Sequence, residues 1–222
     1  MDNRATTPAL RMQDGAWSVV LRLVNADGSG SHAWFRQLNS VNARPRDLAD
    51  AVHFLCTLYS HHPSLIDEAH SHGAAPTADA WMAEAVERFA EERRHLAHLT
   101  ACAGPLPSTP GHAAAHAAIT GQRHALSVLA RSERSCCAVG TVAALVMDWT
   151  RIREMLDIAA DRFGAPVEVT AQPSMAVVGR AMDAFVTGPA AERAVSFGAQ
   201  QLLAQHRGLW SLLEARASAR GA

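Results

Sequence analysis

Apolar residues recurring three and four apart over long stretches, each closed by Pro or Gly, leave this chain little to become except a set of packed helices. The clearest stretch places Met82, Val86, Phe89, Leu96 and Leu99 on one face, with Thr77 or Asp79 as its N-cap and its end before Gly104. Three prolines and two glycines between Gly104 and Gly111 cannot continue a helix, so a connection separates this helix from the next. Before it, Leu48, Val52, Leu55 and Tyr59 mark a core helix from Asp47 that ends ahead of Pro63, and Ser64 to Ala69 forms a short helical piece leading into a loop at Gly73 and Pro76.

Beyond the connection, residues 112 to 131 put Ala115, Ile119, Leu126 and Leu129 on one face. Ser132 or Ser135 then caps a helix that is apolar almost all round from Cys136 to Met147 and amphipathic from Asp148 to Gly164, so its first half is expected to be the most buried element. A loop at Val167 to Pro173 precedes a helix over Met175 to Val186, and a final helix after Gly188 and Pro189 carries Val195, Leu202, Leu209 and Leu213. The N-terminus is less informative: residues 1 to 16 read as a mobile arm, and Trp17 to Val24 is too short to assign by period. The expectation is an all-α antiparallel helical bundle over residues 47–222 with five to seven helices, some short, preceded by an arm and short elements over 1–46.

Charge and cysteine content narrow the function classes. A formal net charge of −1 with no run of like charges argues against nucleic acid as a partner. All twenty basic residues are Arg, so chemistry that needs a lysine amine, such as a Schiff base, pyridoxal phosphate linkage or a Gly-rich phosphate loop ending in Lys, has no residue to carry it. Cys56, Cys102, Cys136 and Cys137 lack the spacing of a zinc knuckle and read as reduced thiols; together with the absence of a leader or spanning segment this predicts a cytoplasmic chain with no membrane association. The adjacent Cys136 and Cys137 read as small core residues opening a buried helix.

Ten of the twelve histidines fall between His53 and His124, and an acid-x-x-His step occurs there as Asp50/His53, Asp67/His70 and Glu92/His95. Long helices with a Glu-x-x-His step resemble the ferritin-like carboxylate bundles, with Glu92 and His95 matching the motif and the likeness spanning roughly residues 47 to 163. The second Glu-x-x-His step of that family is absent. The resemblance implies an iron or manganese site built from Glu92, His95 and a histidine of a second helix. The haem-oxygenase-like fold, with its thiaminase-type enzymes, has a similar architecture and would imply a cofactor-free enzyme using a Cys and a Glu.

Helix geometry grades these candidates. Glu92 lies about 50° and His95 about 110° from the centre of their apolar stripe, so the carboxylate faces inward and the imidazole outward, with Glu84, Glu91 and His98 on the outer face. Asp50 and His53 fall opposite the Leu48/Tyr59 stripe, towards solvent. His112 and His116 stand four apart, as two metal ligands on one helix face would. His206 sits at the centre of the final helix's apolar face, and Gln122 occupies an inward position from which it can pair with it; both are cavity candidates. Asp148 with Arg151, and Arg153 with Asp157, read as ion pairs on helix flanks. No residue is assigned a catalytic role. Besides the metal protein, a non-enzymatic module is expected, binding a small apolar ligand or a second copy of the chain through its Ala-rich faces.

Overall fold

In the computed structural model, residues 15–72, 79–134, 136–166 and 175–221 are described, and every regular element among them is helical. In chain order these are α1 (Ala16–Asp27), a 3-10 turn (Ser29–Ser31), α2 (Ala33–Leu38), α3 (Pro45–Tyr59), α4 (Leu65–Ser71), α5 (Asp79–Cys102), α6 (His112–Ala130), α7 (Cys137–Phe163), α8 (Met175–Phe185) and α9 (Pro189–Gly221). The five to seven helices expected become nine among the described residues, because the apolar run Trp17 to Val24 that has no readable period is α1 and Trp34 to Leu38 forms α2. Of the arm expected over residues 1–16, Ala16 opens α1 and is buried, and Asp79 is the first residue of α5; the rest of the arm up to residue 14, the loops at Gly73 and Pro76 and at Val167 to Pro173, and the Thr77 and Ser135 caps lie outside what is described.

The core is organised on α7 and α9, which share the most extensive contact among the described elements. They meet backbone to backbone: a Cβ on Gly140 would lie 2.2 Å from the Val195 carbonyl oxygen, and one on Gly198 would lie 2.1 Å from that of Cys137. Only hydrogen fits at both positions, and the close approach encloses the first half of α7 on every side, from Cys137 to Leu145. Helix α1 packs on α9, α7 and α8, while Trp34, Phe35 and Leu38 of α2 join the same apolar cluster. The segment over residues 15–46 therefore shares its core with the rest of the chain.

Local signals set several boundaries. Ser64 and Asp67 close a capping box on α4, with Ser64 N–H donating to Asp67 Oδ2 at 2.6 Å, and Arg93 of α5 pairs with the same oxygen at 2.7 Å. At the start of α7 the expected cap fails: Ser132 accepts from the Arg134 N–H, and the N-cap position is Cys136 with φ +67°, whose side chain makes no capping hydrogen bond. That left-handed residue turns the chain directly into the buried helix, where a polar cap would have no water.

Candidate functional site

Asp148 overturns the flank reading of the sequence. It lies on the same buried stripe as Leu145 and Ile152, is fully buried, and faces the 3-10 turn and α9. Arg151, expected as its partner, pairs with Glu154 at 3.0 Å instead. The carboxylate accepts from the Ser29 N–H at 2.8 Å, from Ser29 Oγ at 2.5 Å and from His206 Nδ1 at 2.5 Å. Since an ionised carboxylate only accepts, His206 carries its proton on Nδ1, and its Nε2 accepts from the Tyr59 hydroxyl. Trp210 Nε1 donates to Ser29 Oγ at 2.9 Å. One continuous hydrogen-bonded chain thus runs from Trp210 through Ser29, Asp148 and His206 to Tyr59, drawing on α3, α7, α9 and the 3-10 turn, and each of these five side chains is buried.

The energetics of this chain follow from its isolation from water. Burial pushes the Asp148 carboxyl up, but the hydrogen bond from His206 and the two from Ser29 outweigh it and hold the group below the usual range. Burial, reinforced by the Asp148 charge, pushes the Tyr59 phenol well above its ordinary range. Tyr59 packs edge-on against Phe89 and Trp149, so its ring sits in an aromatic wall while its hydroxyl bonds His206. Gly28 makes the turn's approach possible, because a Cβ there would lie 2.4 Å from the Val24 carbonyl oxygen and 2.7 Å from Asp148 Oδ1.

Two openings flank the chain. On the Asp148 side, a surface cleft of about 380 Å³ lies between α1, the 3-10 turn, α2 and α7, with Asn25, Arg36, Asn39, Arg151 and Glu154 on its walls, Phe35 and Val24 as apolar contacts and Asp148 at its floor. Arg36 is aimed by hydrogen bonds from Nη1 to the Ser31 and Gly30 carbonyl oxygens, at 2.6 and 3.4 Å. On the other side, Tyr59 borders a space of about 10 Å³ lined also by His61, Glu68, Arg123 and Ser127, enough for one water.

The sequence-derived metal candidates are placed elsewhere. Glu92 faces inward as expected, where both its oxygens lie 3.1 Å from Arg153 Nη1 and Trp149 Nε1 donates to Oε2 at 3.1 Å. Arg153 also holds Asp157 at 2.8 Å, as the sequence suggests. His95 is fully buried, not outward, because α5 is covered by α3, α4 and α7 together and buries more than one stripe. His112 and His116 are exposed on α6, with ring centroids 6.2 Å apart. No group of three or more His, Cys, Asp or Glu converges as a metal site among the described residues, so the four candidates form no single centre.

Other positions are corrected as well. Asp50 is buried, not solvent-facing: Arg216 grips it in two bonds of 3.2 and 2.9 Å, and Arg220 joins it to Asp47 and Thr109, fastening the end of α9 to the start of α3 and the 104–111 connection. His53 is half-buried and bonds the Gly104 carbonyl oxygen at 2.8 Å. His206 is buried as its stripe predicts, but both its ring nitrogens are taken by Asp148 and Tyr59, so Gln122 does not pair with it. Gln122 is half-buried against Gly208, its amide oxygen enclosed without a hydrogen-bond partner. Cys136 and Cys137 are buried core residues.

A family model of proteins of unknown function, DUF6975, matches residues 24–221. The chain belongs to that family. The matched span of this DUF6975 chain includes all five residues of the buried hydrogen-bonded chain and the whole of the cleft lining. No curated protein and no solved structure matches the chain. No described helix is long and apolar enough to cross a membrane.

Proposed function

We propose that this DUF6975 chain is a small-molecule-binding helical module whose ligand occupies the cleft over Asp148. The observation that carries this reading is the cleft itself. Its volume of about 380 Å³ falls within the size of ligand sites, and its walls mix apolar contacts with convergent amides and guanidinium groups. The lining favours a polar ligand in place of the wholly apolar one that the Ala-rich composition suggests: Arg36 can meet an anionic group, while Arg151 is already paired with Glu154. The rigid floor supports it further, since the Ser29–Asp148–His206–Tyr59 chain fixes the 3-10 turn that forms one wall. The competing carboxylate-metal reading needs Glu92 as a ligand, and the engagement of both its oxygens by Arg153 favours the cleft reading instead.

The test is a ligand-observed NMR screen of a library of small polar anions against the wild type and Asn25→Trp, an exposed α1 position whose enlarged side chain fills the cleft. Ligands that bind the wild type and are lost in Asn25→Trp and Arg36→Ala support the reading. A screen in which every bound compound is retained by the filled variant refutes it.

A further inference from the structure

Helix α6 carries no acidic residue, and its first two turns expose a histidine pair at the i, i+4 spacing that lets two imidazoles reach one ion. The rings of His112 and His116 lie 6.2 Å apart between centroids and are inclined by 44°. With metal–nitrogen bonds of about 2 Å, two imidazoles share an ion when their centroids are roughly 5 Å apart, which a small rotation of two exposed side chains achieves. Two nitrogens leave a tetrahedral ion two ligands short. No third His, Cys, Asp or Glu among the described residues joins the pair.

The surface beside the pair is unusually flat for a helix. Ala113, Ala117 and Ala118 are exposed next to it, and a Cβ added at the exposed Gly121 would meet nothing within 4 Å. Small side chains let a second helix come close enough for its own histidines to reach the same ion. We propose that His112 and His116 form a half-site for a borderline divalent cation such as Zn²⁺, completed by the same pair of a second copy of this chain. The two-fold arrangement supplies four imidazole nitrogens, the set that Zn²⁺ accepts in closed sites, and makes the interface self-complementary. The positive end of the α6 dipole opposes a cation here, but that penalty is small beside four metal–nitrogen bonds and fades within one turn. Cation and dimer are therefore linked: each copy alone offers an incomplete site, and the apo chains lack the bridge.

The experiment uses the full chain without a histidine tag, titrated with ZnCl₂ by calorimetry and followed by light scattering on a sizing column. The expected result is one Zn²⁺ per two chains with an approximately twofold rise in mass, reversed by EDTA, abolished in His112→Ala and in His116→Ala, and retained in His124→Ala, another exposed α6 histidine. All three positions are exposed, so loss of folding does not confound them. A mass that does not change with Zn²⁺, a 1:1 complex that stays monomeric, or a doubling that survives both substitutions overturns the proposal.

Discussion

Replacing Asp148 by Asn tests whether the buried chain depends on a carboxylate or merely on a side chain of that shape. The amide keeps an oxygen for the Ser29 N–H, now at 2.8 Å, but turns an NH₂ towards Ser29 Oγ and His206 Nδ1, which donate at 2.5 Å each in the wild type. Hydrogen bonds to a charged acceptor contribute about 1.5–3 kcal/mol each, so losing two removes roughly 3–6 kcal/mol, of which about 1 kcal/mol returns if His206 moves its proton to Nε2 and accepts from the amide. That tautomer change obliges Tyr59 to accept where it now donates, stranding its own hydrogen. The expected loss is about 2–5 kcal/mol at neutral pH, read by urea denaturation from tryptophan fluorescence. Acid supplies the second arm. The folded carboxyl titrates below its unfolded counterpart, so its stabilisation is complete above the unfolded pKa of about 4 and disappears as pH falls through the folded value. The gap between wild type and Asp148→Asn should therefore close in strong acid. A loss under about 1 kcal/mol at neutral pH, or a gap that persists unchanged at the lowest pH where both remain folded, would refute the reasoning.

Tyr59 is the only tyrosine in the chain, so the ultraviolet band of tyrosinate reports this one group. Its folded pKa is raised, so the stability it contributes is complete below the unfolded value of about 10 and is lost as pH rises above it. The band should stay silent through the ordinary phenolic range and appear together with unfolding; a band rising near pH ~10 in a chain whose tryptophan fluorescence is unchanged would contradict the buried hydroxyl. At the α7–α9 seam, Gly140→Ala places a methyl 2.2 Å from a backbone oxygen of Val195 and should cost about 3 kcal/mol or more. The matching Gly121→Ala on α6 meets nothing and should gain about 0.5–1 kcal/mol. Equal effects of the two substitutions in urea titrations would dispose of the close-approach argument.

The helices from α3 onward were legible because each is announced by a stripe or a stop, and the same reasoning located His206, which sits at the centre of its stripe and is buried. It failed where one helix buries more than one face. Asp50 lies opposite the Leu48/Tyr59 stripe of α3, yet the end of α9 and the Thr109 connection cover that side, and a guanidinium pair supplies the compensation that makes the burial tolerable. His95 on α5 is the same case, with three helices around it. Asp148 was misread for a different reason. Arg151 one turn away suggested a local pair, whereas the partners lie 58 and 119 residues distant in sequence, on α9 and in the 3-10 turn. A signal was present all the same: Asp148 falls three after Leu145 and four before Ile152, inside a helix whose preceding turns are apolar all round, and an acid on a buried stripe requires buried donors. Read with that rule, Asp148, His206 and Tyr59 are three polar groups on three core stripes, and their mutual satisfaction is the arrangement that leaves fewest of them without a partner. Ser29 could not be found this way, because its role depends on a turn that only Gly28 allows so close to Asp148. The part of the site invisible to periodicity is thus the wall of the cleft, and the part that periodicity can reach is its floor.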